Sequence, residues 1–191
     1  IRHTMMPTWQ KRHLMHKSMS ETRNPKVPST IIELLSHHNY YDMTFGLDPK
    51  FKFIVSRAIY KGMLRFIHQT TGTPYVVQPL PVQQMNISYA NNDSLHIRWA
   101  ERVDRLEPTA TPSYYILYTR TSQFRNGEWQ TSDWDNGIRV TNPYASLPIQ
   151  RGVKYDIMVR AGNNGGVSLP SEVLSAYIAP KFDNDLALII N

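Results

Sequence analysis

One acidic residue interrupts an apolar run near the start of the chain. Residues 30–35 read Thr-Ile-Ile-Glu-Leu-Leu, a pattern that predicts a strand buried on both faces, as in a parallel sheet. A carboxylate buried there without a partner is costly, so Glu33 would need a cation, a metal or a raised pKa. Glu33 is therefore a candidate general base. Two purely structural explanations of Glu33 stay open. It could form an ion pair with a nearby basic residue, or the strand could end there and leave the side chain in water.

Four histidines could be mistaken for metal ligands. His37 and His38 are adjacent, and on an extended chain adjacent side chains point to opposite faces, which makes a poor chelate. His13 and His16 could share a helical face, but no glutamate stands at the spacing that a Glu-x-x-His zinc motif needs. We therefore predict no metal ligands and no bound cofactor within this chain.

Two tryptophans form a possible binding surface. Trp129 and Trp134 stand close together, and Trp134 is flanked by Asp133 and Asp135. They could stack on sugar rings or contact a protein partner, although aromatic pairs more often pack at the edge of a sheet. The Asn-x-Ser patterns at Asn86 and Asn92 are short enough to be incidental.

The elements around Glu33 suggest an α/β fragment. Asp48-Pro49 predicts a helix start, with Asp48 as N-cap, and Gly72 stands just past its expected end. Apolar residues recur between them at helical spacing: Phe51, Ile54, Val55, Ala58, Ile59, Gly62 and Phe66. A strand followed by a long amphipathic helix is typical of α/β folds.

A change of period marks the second half of the chain. Residues 73–81 are a proline-rich, semi-rigid connector. Beyond them apolar residues alternate with polar ones over several short segments separated by turn residues, which predicts an antiparallel β-sandwich of about 100 residues.

Composition and charge support this division. The 191 residues are 41% apolar and lack cysteine, which excludes wholesale disorder and disulfides, and no run is long enough for a membrane span. Residues 1–80 hold 11 Lys and Arg against 4 Asp and Glu, a net of +7, whereas residues 81–191 hold 10 against 11, a net of −1. The basic half has no recognisable nucleic-acid reading motif, so we predict no nucleic-acid partner.

The sandwich resembles the fibronectin type III family over residues 82–180. Trp99 matches the family's core tryptophan, and Tyr155 would be its corner tyrosine, with the hydroxyl reaching a loop carbonyl. Arg151 departs from the usual proline. The remaining matches lie near the C-terminal end: Ile149, Gly152, Ile157, Val159, Ala161, Asn163, Gly166, Ser168, Pro170, Ser171 and Glu172.

Residues 10–70 resemble the C-terminal end of the zinc-dependent N-acetylmuramoyl-L-alanine amidases. The match consists of a proline before a strand that ends in glutamate, a serine and an asparagine, and a helix with an Ala-Ile-x-x-Gly pattern: Pro28, Glu33, Ser36, Asn39, Ala58, Ile59 and Gly62. The resemblance implies that Glu33 is the catalytic glutamate of a zinc-assisted amide hydrolysis. It also implies that the metal ligands lie upstream of this chain. The residues 34–39 depart from the family's Gly-Phe step and adjacent Ser-Asn.

The resulting prediction is a fragment of a modular protein. Residues 1–72 would be the end of an amidase-like α/β domain (strand plus long helix), 73–81 a linker, 82–180 a fibronectin type III domain, and 181–191 the start of a further domain. Because the chain opens at Ile1, we expect its start to differ from the translated one. The parent would be a secreted or cell-envelope bacterial hydrolase, of the kind sometimes labelled xanthan lyase, with zinc as cofactor and peptidoglycan or another envelope glycan as partner. The alternative is a non-catalytic surface module that binds carbohydrate or protein.

Overall fold

The computed structural model describes residues 10, 14, 15, 17–91 and 93–180. The chain divides into two compact units, residues 1–72 and 73–191. No helix in the described part is long and apolar enough to cross a membrane. The predictions for His13, His16, Asn92 and the further domain at residues 181–191 lie outside the described residues.

The first unit contains helices α1 (Ser20–Arg23), α2 (Tyr40–Gly46) and α3 (Pro49–Thr71). The predicted ends of α3 are confirmed. The side chain of Asp48 accepts a hydrogen bond from the Lys50 amide at 2.8 Å, and Gly72 ends the helix at φ 73°, a left-handed conformation that suits glycine.

The apolar stripe of α3 is buried only near its beginning. Phe51 and Val55 are buried, and the ring of Phe51 lies 5.9 Å from that of Phe45 on α2, centroid to centroid. Farther along, Phe66 is 49% exposed. The spacing of the apolar residues therefore identifies the stripe, but its fully buried residues lie only in the first two turns of α3.

The predicted strand at residues 30–35 is absent, and that prediction was wrong. The segment has no regular secondary structure, and Ile31 and Ile32 are exposed. A β-branched run becomes a strand only when a neighbouring strand pairs with it, and the described residues of the first unit include no strand. The described residues therefore do not form the expected strand-plus-helix arrangement.

The second unit is a sandwich of two antiparallel sheets. One sheet has the order β1-β2-β6 and the other the order β4-β3-β7-β8, with β5 also paired to β3 and β9 to β7. The strands are β1 (Gln83–Asn91), β2 (Ser94–Ala100), β3 (Tyr114–Arg125), β4 (Glu128–Thr131), β5 (Ile138–Val140), β6 (Tyr144–Pro148), β7 (Val153–Asn163), β8 (Gly166–Val167) and β9 (Leu174–Tyr177).

The core of the sandwich follows the predicted alternation. Leu95 and Ile97 are fully buried, and each contributes about 1.5–3 kcal/mol by leaving water. Trp99 fills the space between the sheets, its ring 5.4 Å from that of Tyr115 in an edge-on contact. The indole nitrogen of Trp99 is buried and finds no hydrogen-bond partner among the described residues.

Two polar side chains fix the ends of the sandwich. The Tyr155 hydroxyl accepts a hydrogen bond from the Gln150 amide at 3.1 Å, so its partner is a loop amide and not the predicted carbonyl. The Asn163 side-chain amide donates to the carbonyl of Val77 at 2.9 Å and to that of Thr109 at 3.0 Å. Because Val77 is fully buried, the proline-rich segment packs as part of the second unit.

Candidate functional site

Glu33 lies in an exposed position. Its segment has no regular structure, so the desolvation that motivated its assignment does not act on it. Its neighbours Ser36 and Asn39 organise the start of α2: the Ser36 amide donates to Asp42 at 2.8 Å, and the Asn39 side chain accepts from the Tyr41 amide at 3.0 Å. The catalytic role of Glu33 stays a prediction that rests on the family resemblance.

The two adjacent histidines lie side by side. His37 and His38 occupy a turn, with ring centroids 3.9 Å apart and ring planes inclined by 55°, so the prediction that they face opposite ways was wrong. No group of three His, Asp or Glu side chains in the described part of the chain could hold a metal ion. The amidase resemblance places the zinc ligands upstream of this chain, so the described residues leave that prediction untested.

Trp129 belongs to an exposed aromatic cluster on the second sheet. Strand register pairs Trp129 of β4 with Phe124 of β3, and their ring centroids are 5.6 Å apart. The ring of Tyr177 from β9 also lies near Trp129, with its centroid 5.9 Å away. Both contacts are edge-on, which is a favoured geometry for aromatic pairs. Trp129 nevertheless stays 51% exposed, so it is braced by two rings and still accessible.

Trp134 is placed by the loop that covers the edge of β3. The Asp135 carboxylate accepts from the Thr119 amide at 3.0 Å, and the Ser132 hydroxyl accepts from the Thr121 amide at 3.0 Å. These two side chains accept the hydrogen bonds that the carbonyls of a neighbouring strand would accept, so these amides at the open edge of β3 are not left unpaired. Trp134 lies between them in sequence, half-buried, with the Arg120 guanidinium 4.9 Å from its ring centroid, a cation–π distance.

A buried carboxylate holds Arg120 in place. Asp156 is only 2% exposed, and it accepts from Arg120 at 2.9 Å, Lys154 at 3.0 Å and Ser175 at 2.6 Å. Burial by itself would raise the pKa of Asp156, but the hydrogen bonds from Ser175, Lys154 and Arg120 and the charge of Lys154 together lower it. The carboxylate is thus ionised and fully partnered.

These side chains share one side of the sheet. Because Tyr155 and Ile157 pack toward the core, Asp156 between them faces away from it, and so does Arg120, its partner in the strand register. Two more cations follow on the same side: Arg139 stacks on the Tyr114 ring at 3.6 Å, and Arg160 donates to the Ser168 carbonyl at 2.7 Å. We call this surface the aromatic-cationic face: Tyr114, Arg120, Phe124, Trp129, Trp134, Arg139, Lys154, Asp156, Arg160 and Tyr177.

Sequence reasoning identified the tryptophans on this face but missed its charges. The signal for Asp156 was present, since a carboxylate between core-facing Tyr155 and Ile157 must face outward. Its partners could not be found in the same way, because Arg120 is 36 residues away and joins Asp156 only through the pairing of β3 with β7.

The strand order places the second unit in a known class of β-sandwich. A sheet with the order β1-β2-β6 packed on one built from β3, β4, β7 and β9, with a buried tryptophan on the second strand, has the immunoglobulin-like sandwich architecture that fibronectin type III domains share. No protein-family model matches the chain, and no curated protein matches it.

Several solved structures, fibronectin type III domains among them, are similar to part of the chain. A human fourth fibronectin type III domain is 16% identical, with a TM-score of 0.42, over 56% of this chain and 85% of that one. The domain of the human fibronectin type III domain containing protein 3 is 20% identical, with a TM-score of 0.40, over 58% and 94%. The titin kinase with its flanking domains is 18% identical, with a TM-score of 0.39, and the chain spans 18% of its length. At these identities the likeness concerns the fold alone.

Proposed function

We propose that residues 73–180 are a non-catalytic, glycan-binding module of fibronectin type III type within a larger modular protein. The observation that carries the proposal is the position of Trp129. Its ring is braced by Phe124 and Tyr177, yet the residue is 51% exposed. One face of a sugar ring presents C–H groups that pack on such a platform, and a ring already held in place loses little conformational entropy when a ligand arrives.

The form of the surface also supports a polymer as ligand. The aromatic-cationic face lies on sheet strands whose register runs unbroken from Tyr114 to Gln123 along β3 and β7, so its side chains are presented in a row. An extended chain can lie along such a row and contact several side chains at once. A secreted or cell-envelope location, with an envelope glycan as partner, is part of this proposal.

The test is retention of the full 191-residue chain on insoluble glycans, namely purified peptidoglycan and a panel of neutral and acidic polysaccharides. Trp129→Ala should weaken retention about tenfold, the size expected when one central aromatic contact is lost. Tyr144→Ala is the matched control, because Tyr144 is 56% exposed on the opposite sheet. Failure of every glycan to retain the wild type, or equal behaviour of the two variants, would contradict the proposal.

The hydrolase prediction for the parent protein has a separate test. It rests on the resemblance of residues 10–70, with Glu33 as catalytic glutamate and zinc bound by upstream residues. In the longer protein, Glu33→Gln should abolish release of peptides from muramoyl substrates while the circular dichroism spectrum stays unchanged. Retained hydrolysis would remove Glu33 from the mechanism without affecting the glycan-binding proposal.

A further inference from the structure

The charge of the aromatic-cationic face differs in sign from that of the region around it. Residues 81–191 carry a net charge of −1. The residues that define the face include four cations, Arg120, Arg139, Lys154 and Arg160, and the buried carboxylate of Asp156, and the exposed Asp133 and Asp135 flank its Trp134. With these three carboxylates the net charge is +1, and the cations gathered on one side of a slightly acidic domain favour an anionic partner.

The cations lie in two groups along the strands. In one row of the sheet, Arg139 and Arg160 flank Ile116, since both pair with it in the strand register. Lys154 lies six residues from Arg160 along β7, which corresponds to about 20 Å at the rise of a strand. The Trp129 ring lies at the Lys154 end, because Lys154 pairs with Tyr177 and Tyr177 contacts Trp129.

We propose that the ligand of this face is an acidic polysaccharide whose sugars carry carboxylates. This inference rests on the proposed glycan-binding function and specifies its ligand class. One sugar ring packs on Trp129, carboxylates of the same chain reach Lys154 nearby, and further carboxylates reach the Arg139–Arg160 row about 20 Å away. A polymer with repeated charges satisfies both groups at once, whereas a small anion could satisfy only one.

The geometry also indicates which cations are available to the ligand. Arg120 is committed to Asp156 and to the Trp134 ring, so its removal would disturb the fold. Arg139 is exposed, and its guanidinium lies over the Tyr114 ring. Lys154 shares Asp156 with Arg120 and Ser175, so that carboxylate keeps two partners when Lys154 is replaced.

The test is calorimetric titration of the full chain with sodium polygalacturonate, in which every sugar carries a carboxylate, and with its methyl-esterified form, in which the charge is removed. The variants are Arg139→Gln combined with Lys154→Gln, and the control Arg98→Gln combined with Arg102→Gln. The control removes two exposed cations from outside the face. It is essential because residues 1–80 carry a net of +7 and attract any polyanion.

We expect the double variant Arg139→Gln and Lys154→Gln to bind polygalacturonate about tenfold more weakly than the wild type, because two charge contacts are lost. We also expect the control pair to bind as the wild type does and the esterified polymer to bind much less. Equal losses in both pairs, or equal binding of the esterified polymer, would overturn the inference. So would tighter binding of poly-L-glutamate or of a thymidine oligonucleotide through the same two cations. If Trp129→Ala weakens binding to a neutral glycan while the charge variants change nothing, the proposed function stands and this inference fails.

Discussion

Arg120 and Asp156 form an ion pair 2.9 Å long on the outer side of the second sheet, between residues 36 positions apart. The carboxylate is buried and the guanidinium is partly exposed. This asymmetry gives the pair two roles. It anchors β3 to β7, and it holds Arg120 against the Trp134 ring, where it forms part of the aromatic-cationic face.

Replacing the buried carboxylate should destabilise the sandwich. In Asp156→Asn the amide cannot accept from Arg120, Lys154 and Ser175 as the carboxylate does, and we expect the free energy of unfolding to fall by about 1–3 kcal/mol. Urea unfolding followed by circular dichroism measures the change. Asp133→Asn is the control, since Asp133 is exposed in a loop, and it should change stability by less than about 0.5 kcal/mol. Equal effects of the two substitutions would refute this role of Asp156.

The same carboxylate predicts acid sensitivity. Folding lowers the pKa of Asp156, so its ionised form contributes stability that is present above its unfolded pKa, near 3.9, and is lost as the pH falls through the lower folded pKa. Between about pH 5 and pH 2 the wild type should therefore lose more stability than Asp156→Asn, and the two unfolding curves should converge. A constant difference between them across this range would contradict the assignment.

The Asn163 side chain should be essential for the end of the sandwich that carries the proline-rich segment. Its amide donates to the carbonyls of Val77, Thr109 and Thr111, and its oxygen accepts from the Gly165 amide at 2.8 Å. Asn163→Ala leaves buried carbonyls unpaired and should cost about 2–4 kcal/mol.

Hydrogen exchange provides the structural readout for Asn163. The Val77 amide, which donates to the Thr109 hydroxyl at 3.2 Å, should lose protection in Asn163→Ala more than the amides of β2 do. Asn136→Ala, in an exposed loop, is the control and should leave both regions unchanged. Uniform loss of protection across the sandwich would show that Asn163 has no local role.

The sandwich could be predicted from sequence because its patterns are local and mutually supporting. Alternation at Leu95, Ile97 and Trp99 places these residues in the core, and the structure buries all three. The run at residues 30–35 looks just as apolar, yet Ile32 is exposed. The difference is the presence of a pairing strand, which β2 has on both sides and which the described residues of the first unit lack.

The binding surface was only half predictable for a related reason. Residue type was enough to single out Trp129 and Trp134. Their relationship to Lys154, Asp156 and Tyr177 depends on the register of four strands, which joins residues up to about 50 positions apart and which no local pattern specifies.

The most direct test of the aromatic-cationic face as a binding surface is a chemical-shift titration of the isotopically labelled 191-residue chain with sodium polygalacturonate. The predicted result is that the largest amide shifts, and the shift of the Trp129 indole N–H, fall on β3, β4, β7 and β9, while amides of β1, β2 and β6 barely move. Shifts confined to the β1-β2-β6 sheet or to residues 1–72, with an unchanged Trp129 indole signal, would contradict the account.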